Sequence, residues 1–445
     1  MKFIAPLLAS LLLTSATAFR PNQPHPFAGK LEKGLEHRSS DHRLETSKKK
    51  DPNKGFVGVP LEVYSRNDGK TELQWLATIT VGTPPQTFKV VLDTGSNALI
   101  LPGSNCTDCG KHSLFDPSKS TTFDPQPALN NTIEYDAGAD TVPPNNTGRA
   151  ECVVVTDTVA IQGLSVSKQQ FMLCHNYGGA LSSQLADGIL GIGSSVVSDW
   201  TDDGDFTYVP FLPGLVVEAQ SPNRIVGLAL GSGGKHQELG PEASIGGVDG
   251  ARYRGRIKNV NVNEALSELF ETFIVDVQAS YVGSGKNKKP WRNSTNDNKP
   301  LTPGVSFVDS ATAYMLTPDR QTAADLYANI SRDIIPLDDV GSWGASCATL
   351  DGVAMDITFT IGTKTGGDLV DVTLPKSAFN LGEYPGRKGV CQAAFSHSDP
   401  PFYEPLEGRP AWVFGSPLIK AYYTVWNADG GTLGWASGAD KAKVG

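Results

Sequence analysis

Two aspartates, Asp93 and Asp309, each stand between a run of apolar residues and a turn of small residues. The segments Lys89–Ser96 and Gly304–Thr312 share this pattern. The apolar run predicts a buried strand, which carries the carboxylate into the interior, where an acid is costly unless hydrogen bonds stabilise it. Asp, Gly and Ser are also common turn formers, so for either segment alone a turn without a chemical role is the alternative interpretation.

The two segments lie 216 positions apart, which suggests an internal duplication. If the fold brings the equivalent turns face to face, their carboxylates cannot easily both ionise, so they share one proton and titrate as a pair. The ionised member can take a proton from a water between them while the protonated member gives one to a carbonyl oxygen. This is general acid–base hydrolysis of an amide without a covalent intermediate, with turn hydroxyls and backbone N–H groups holding both carboxylates.

A serine hydrolase is the competing type of hydrolytic enzyme. The serines of Gly193–Ser195 and Gly231–Gly233 do not have the spacing of a nucleophile elbow. His112 and His175 are interpreted as surface residues rather than bases, and Glu134 as a solvent-facing strand residue rather than a third acid. The aspartate pair therefore remains the favoured chemistry.

The composition favours strands over helices. The chain of 445 residues contains 47 glycines and 30 prolines, and long runs with helical spacing are scarce. We therefore predict an all-β protein that is long enough for two lobes, each with its own core. One helix is expected at Pro318–Asn329, and Lys286–Lys299 is interpreted as a polar insert. The predicted strands include Val59–Tyr64, Gln74–Val81, Phe88–Leu92, Leu99–Pro102, a hairpin from Thr132–Gly138 to Cys152–Val155, Ala186–Gly193, Phe273–Val277, Ala411–Gly415, Tyr422–Trp426 and Thr432–Ala436.

The first 56 residues differ from the rest of the chain. Residues Met1–Ala18 have a basic start, an apolar stretch and a small-residue end, as in a cleaved secretory signal. Residues Phe19–Phe56 are rich in Pro, Lys, Arg and His and are interpreted as a removable basic prosegment, with a disordered linker as the alternative. An N-terminal lobe is expected at residues 57–250 and a C-terminal lobe at residues 251–445. No stop-transfer helix or lipid-anchor signal is recognised, so we expect an exported protein without a membrane anchor.

The charge is unevenly distributed along the chain. Residues 1–56 hold ten of the 38 Lys and Arg and five of the 47 Asp and Glu, which leaves 28 basic against 42 acidic side chains in the remainder. This balance opposes nucleic-acid binding by the body of the protein, because phosphate contacts need a basic face. A basic prosegment could neutralise carboxylates of the acidic body at neutral pH and dissociate when they are protonated.

Six cysteines in an exported chain suggest disulfides rather than metal ligands. Their spacing suggests three local pairs, although six cysteines allow fifteen pairings. A zinc site at the first pair is the alternative, but no second ligand pair follows at suitable spacing. We therefore expect neither a metal nor a cofactor. The suggested pairs are Cys106 with Cys109, Cys152 with Cys174, and Cys347 with Cys391. Five sequons predict glycosylated surface loops, at Asn105, Asn130, Asn145, Asn293 and Asn329.

From about Leu61 to Ala436 the chain resembles the pepsin-like aspartic proteases. The number and order of the matching segments, rather than any one of them, carry the resemblance. These segments are Ile79–Gln86, Val91–Ser96, Phe115–Phe123, Asp187–Gly191, Ser244–Asp249, Val308–Ser310, Trp412–Gly415 and Tyr422–Val425.

The resemblance implies two β-barrel lobes with a substrate cleft between them and Asp93 with Asp309 as the catalytic dyad. It implies a hairpin flap over the substrate, with Tyr135 on it and Asp136 and Gly138 beside it. It also implies a zymogen that is activated in acid and a monomer that cleaves extended polypeptides, outside the cell or in a vacuole-like compartment. The residues that support the dyad are Thr94, Gly95, Ser96, Ser310, Ala311 and Thr312.

Three residues depart from the pattern of the family. Ala311 replaces the glycine of the second motif, and its methyl group could crowd the dyad or restrict the backbone. Ile100 stands where many relatives have tryptophan, and Asp136 where glycine is usual. Two hypotheses follow: a secreted aspartic endopeptidase, which the retained acids favour, and a catalytically impaired relative that binds peptides in the same cleft.

Overall fold

In a computed structural model, the chain is described at residues 55–65, 71–126, 130–135, 142, 148–196, 198–199, 207–231, 240–292, 301, 303–363, 368–397, 406 and 408–438. Residues Ser47–Gly445 form one compact unit, and all of the described residues fall within it. The predicted signal and all but the last residues of the predicted prosegment lie outside them. None of the helices in these ranges is long and apolar enough to cross a membrane.

The first half of the body is built from thirteen of the described strands and one short α-helix. Its longest strands, β7 and β8, form a hairpin whose turn places Gln162 and Gly163 in the left-handed region. The strands are β1 Val57–Pro60, β2 Glu62–Ser65, β3 Glu72–Val81, β4 Gln86–Asp93, β5 Leu99–Pro102, β6 Asn130–Tyr135, β7 Gly148–Ile161, β8 Leu164–Gly178, β9 Gly188–Gly191, β10 Ser198–Asp199, β11 Thr207–Tyr208, β12 Ile225–Ala229 and β13 Glu242–Ile245, with helix α1 Phe211–Val217 and single 3₁₀ turns at Pro117–Lys119 and Gly179–Ser182.

The second half adds fifteen described strands and four α-helices. The strands are β14 Tyr253–Asn261, β15 Ile274–Val282, β16 Lys289–Pro290, β17 Gly304–Val308, β18 Met315–Leu316, β19 Ile335–Pro336, β20 Trp343–Ser346, β21 Ile357–Ile361, β22 Val370–Leu374, β23 Asn380–Glu383, β24 Val390–Ala393, β25 Phe395–Ser396, β26 Ala411–Phe414, β27 Tyr422–Asn427 and β28 Thr432–Gly438. The helices are α2 Glu264–Leu269, α3 Arg320–Ile330, α4 Cys347–Val353 and α5 Ser416–Ile419, with 3₁₀ turns at Gly285–Asn287 and Lys376–Ala378.

The two halves repeat one arrangement of strands around each aspartate. In the first half the order β3-β4-β9-β5 has β4 parallel to β9 and β9 antiparallel to β5. In the second half the order β15-β17-β26-β18 has β17 parallel to β26 and β26 antiparallel to β18. The all-β, two-lobed fold predicted from the sequence is confirmed, and the repeated arrangement agrees with an internal duplication.

Strands from both halves also share one sheet of six strands. Its order is β1-β13-β12-β27-β28-β14, and the join between halves is the antiparallel pair of β12 with β27, where Val226 lies opposite Trp426. Trp426 is buried and packs edge-on against Phe273, which leads into β15. This sheet therefore connects the two repeated arrangements.

One prediction about an element was wrong, and another missed a buried residue. Val59–Tyr64 is not one strand: Leu61 separates β1 from β2, and the two pair in different sheets, because β1 pairs with β13 and β2 with β3. The predicted polar insert Lys286–Lys299 is described only as far as Arg292, and this part contains Trp291, which is fully buried against other aromatic rings of the core. A single apolar residue among polar ones has no periodicity, so the sequence pattern did not reveal it.

Candidate active site

Asp93 is the last residue of β4 and Asp309 directly follows β17, so equivalent parallel strand pairs carry the two acids to one place. Asp93 is 4% exposed. The turns that follow the two acids approach each other closely: a Cβ atom added at Gly95 would lie 2.9 Å from the carboxyl carbon of Asp309. The structure therefore brings together the two aspartates that the sequence pattern indicated as a pair.

Each carboxylate is held by its own turn in the same way. The backbone N–H of Gly95 donates to Oδ1 of Asp93 over 2.8 Å, and the Ser96 hydroxyl donates to Oδ2. At the second acid, the N–H of Ala311 donates to Oδ1 of Asp309 over 2.7 Å, and the Thr312 hydroxyl donates to Oδ2. Hydrogen bonds to both oxygens fix the orientation of each carboxylate.

Thr94 and Ser310 link the two turns. The N–H of Thr94 donates to the Ser310 hydroxyl and the N–H of Ser310 donates to the Thr94 hydroxyl. Each hydroxyl in turn donates to a strand carbonyl of the other half, Thr94 to Val308 over 3.1 Å and Ser310 to Leu92 over 2.7 Å. Both residues are buried, so this group of four hydrogen bonds is shielded from water.

Burial raises the pKa of Asp93 well above its ordinary value, and the neighbouring charge of Asp309 raises it further. The hydrogen bonds from Ser96 and Gly95 act in the opposite direction but do not cancel the effect. A raised pKa in one member of a close carboxyl pair allows one proton to be held by the pair. One acid and one base can thus exist side by side.

Ala311 and Gly95 occupy equivalent positions in the two turns. Neither has a backbone φ in the left-handed region, so alanine is not strained at position 311. The methyl group of Ala311 packs against a small apolar cluster that includes Leu76, Val91 and Ala186. Its N–H keeps the hydrogen bond to Asp309.

Asp187, in one of the matching segments, has a structural role that the sequence did not reveal. Its carboxylate accepts from the N–H of Lys89 over 2.8 Å and from the N–H of Ser113 over 2.7 Å. Lys89 lies in β4, four residues before Asp93. Asp187 therefore ties the strand that carries the first acid to the loop before Phe115. In the sequence, the available signal for this role was a carboxylate at the start of a glycine-rich strand.

The remaining predicted site residues are only partly described. Tyr135 ends β6, with its backbone paired to Gly148, while Asp136 and Gly138 lie outside the described residues. Ile100 is fully buried in β5 among apolar residues that include Met172. Three disulfides join the cysteines that were paired from their spacing, so Cys106 and Cys109 form a disulfide. In the described part of the chain, no group of three or more His, Cys, Asp or Glu is placed to hold a metal ion.

Two of the five sequons have described side chains. Asn105 and Asn329 are exposed. The side-chain amide of Asn329 donates to the backbone carbonyls of Arg292 and Asp325. Asn130 lies in β6, and Asn145 and Asn293 lie outside the described residues. Glycosylation at all five therefore stays a prediction.

Comparison with known proteins agrees with the geometry of the site. A family model described as eukaryotic aspartyl protease matches residues 74–438. The chain is 25% identical to gastricsin of Homo sapiens over 371 residues, which cover 82% of this chain and 81% of the relative. It is 25% identical to pepsin-2B of Gadus morhua over 378 residues (84% and 98%), and 26% identical to vacuolar protease A of Arthroderma otae over 456 aligned positions (96% and 98%). This chain therefore belongs to the eukaryotic aspartyl protease family and is an aspartic-type endopeptidase.

Proposed function

We propose that this protein is made as a zymogen and exported, and that it hydrolyses peptide bonds of polypeptides at acidic pH by activating a water between Asp93 and Asp309. The single observation that carries the proposal is the matched support of the two carboxylates, each by a backbone N–H and a hydroxyl of its own turn. Such support fixes two acids for chemistry rather than for an ion pair.

The reaction uses the two carboxyl groups in complementary states. The ionised carboxylate accepts a proton from the water as its oxygen attacks the peptide carbonyl carbon, and the protonated carboxyl gives its proton to the carbonyl oxygen. As the C–N bond of the tetrahedral intermediate breaks, the carboxyl that took the water's proton gives it to the leaving amine. The other carboxylate takes back the proton from the hydroxyl that was the carbonyl oxygen, so the pair again holds one proton. Because the pair must hold one proton, and because the pKa of Asp93 is raised, activity is expected at acidic pH and is lost when both carboxyls are ionised.

Several finer features of the proposal rest on the sequence and on the relatives. A basic prosegment at Phe19–Phe56 suits an acidic body, and a relative of 25% identity is named embryonic pepsinogen, from Gallus gallus. The signal at Met1–Ala18 supports export, and the relative named vacuolar protease A leaves an acidic vacuole-like compartment as the alternative destination. We propose that the mature enzyme is a monomer of two lobes, divided near residue 250, with a flap at Tyr135.

The impaired, peptide-binding alternative depends on Ala311. The unstrained backbone at Ala311 and its retained hydrogen bond to Asp309 favour the active enzyme instead. The test is cleavage of a denatured protein by acid-processed enzyme between about pH 3 and 7, a range chosen around carboxylate titration. Asp93→Asn and Asp309→Asn should each abolish cleavage, as should a transition-state mimic of the peptidase class. Peptide binding without cleavage by the processed wild-type protein would support the alternative.

A further inference from the structure

The turn of Asp93 is attached to the second half by two side-chain hydrogen bonds besides those of Thr94 and Ser310. The hydroxyl of Thr272 donates to the backbone carbonyl of Thr94 over 2.8 Å. The amide of Asn97 donates to the backbone carbonyl of Glu271 over 2.6 Å. Thr272 is 1% exposed and Asn97 is 4% exposed, so both bonds are formed away from water.

Glu271 lies in an unusual backbone conformation at this contact. Its φ is 56°, in the left-handed region that non-glycine residues seldom adopt and that persists where surrounding contacts enforce it. Its carbonyl accepts from Asn97 and also from the N–H of Ser194 over 3.2 Å. Two donors of the first half thus converge on one carbonyl of the second half.

The backbones of the two halves approach each other so closely here that position 193 has no room for a side chain. A Cβ atom at Gly193 would lie 2.7 Å from the Glu271 carbonyl oxygen and 2.8 Å from that of Ser96. The N–H of Gly193 donates to the same Ser96 carbonyl over 2.8 Å. The backbone of Gly193 therefore lies against both Ser96, whose hydroxyl holds the Asp93 carboxylate, and Glu271 of the second half.

The second aspartate lacks the Asn97 contact. The residue at the position equivalent to Asn97, 216 places later, is Ala313, whose side chain cannot form a hydrogen bond. The two turns are alike in how they hold their own carboxylates but differ in how they are anchored. The anchoring by Asn97 thus distinguishes the environment of Asp93.

We propose that Asn97 and Thr272 are positioning residues for the dyad, which act through the main chain of the Asp93 turn. Thr272 fixes the peptide unit between Thr94 and Gly95, whose N–H donates to Asp93. Asn97 fixes the chain directly after Ser96, whose hydroxyl holds the other oxygen. Loss of either anchor lets these donors move away from the carboxylate, which alters the sharing of the proton and slows the chemical step. The inference rests on the proposed function of the dyad.

The test compares Thr272→Val, which keeps the shape and removes the hydroxyl, with Thr272→Ser, which keeps the hydroxyl. Loss of one buried hydrogen bond predicts a kcat about tenfold lower for Thr272→Val, with KM within about twofold, because the anchor affects the reacting groups rather than substrate binding. The pH profile of kcat should also shift, and Thr272→Ser should restore both. The matched control is Thr358→Val, at a buried threonine of β21 whose hydroxyl pairs with that of Thr373, and it should leave the kinetics unchanged.

Asn97→Ser is measured beside Thr272→Val, because it removes the other anchor and keeps the test decisive if one variant folds poorly. A folded variant of either residue with wild-type kcat and pH profile overturns the inference, even if its melting temperature is lower. The Asp93→Asn variant distinguishes failure of the positioning role from failure of the proposed function. If it is inactive while the anchor variants behave as wild type, only the positioning role fails; if it remains active, the proposed function fails as well.

Discussion

Thr94 and Ser310 each accept a hydrogen bond at their hydroxyl from the backbone N–H of the other, over 2.9 and 3.1 Å. The two residues come from different halves of the chain and directly follow the two aspartates. Their exchange of hydrogen bonds sets the distance between the turns, and so the distance between the carboxylates.

Replacing Ser310 by alanine should destabilise the protein and lower its activity. The substitution leaves the buried N–H of Thr94 without its acceptor, which costs about 1–3 kcal/mol of unfolding free energy. Ser310→Thr keeps a hydroxyl and places the same residue at both equivalent positions, so it should lose less than Ser310→Ala. Urea unfolding and kcat/KM of the two variants check this. Equal stability of Ser310→Ala and wild type would contradict the importance of the link.

Gly95→Ala and Ala311→Gly should have unequal effects although the positions are equivalent. A Cβ at position 95 would stand 2.9 Å from the Asp309 carboxyl carbon, closer than real Cβ atoms approach, so Gly95→Ala should reduce kcat/KM at least about tenfold. Ala311→Gly removes a packed methyl from an unstrained backbone and should change kcat/KM by less than about threefold. Steady-state kinetics on one peptide substrate measures both. A large gain of activity in Ala311→Gly would instead show that the methyl group impairs the dyad.

Asp93→Asn should stabilise the protein increasingly as the pH rises above about 4, the ordinary carboxyl pKa. The native pKa of Asp93 is raised by burial and by Asp309, so the folded state keeps a proton that the unfolded state has already released. The wild type therefore loses stability as the pH rises from the unfolded-state pKa of Asp93 to its native-state pKa, and the variant does not. Unfolding free energies at several pH values test the sign. Asp339→Asn, at an exposed position, controls for removal of one negative charge.

Tyr384→Phe should reduce stability above about pH 4 and have little effect in stronger acid. Although burial acts to raise the pKa of Asp338, hydrogen bonds from Tyr384, Ser342 and Gly341 outweigh it, so the pKa is lowered. A carboxyl whose pKa is lower in the native state than in the unfolded state stabilises the fold at pH values above the unfolded-state pKa. This stabilisation is lost as the pH falls through the native-state pKa. Removing the tyrosine hydroxyl, 2.7 Å from the carboxylate, should cost about 1 kcal/mol, because the carboxylate is only partly buried. A loss of equal size at pH 2 and pH 6 would contradict this linkage.

The sequence was sufficient to predict features that depend on local pattern. Apolar runs that end in an acid located Asp93 and Asp309, and alternating apolar residues with abundant Gly and Pro indicated an all-β chain. The spacing of the cysteines suggested the three disulfides that the structure contains. Helix α3, at Arg320–Ile330, was predicted within two residues at each end.

Only the tertiary structure decided how the acids are held in relation to each other. Thr272 bonds to Thr94 across 178 positions, and Asn97 bonds to Glu271 across 174. A single threonine or asparagine has no periodicity that would mark its partner, because such a hydrogen bond depends on where two distant segments meet. The sequence by itself therefore determined which two carboxylates do the chemistry we propose, whereas the packing of the two halves decided which residues anchor them.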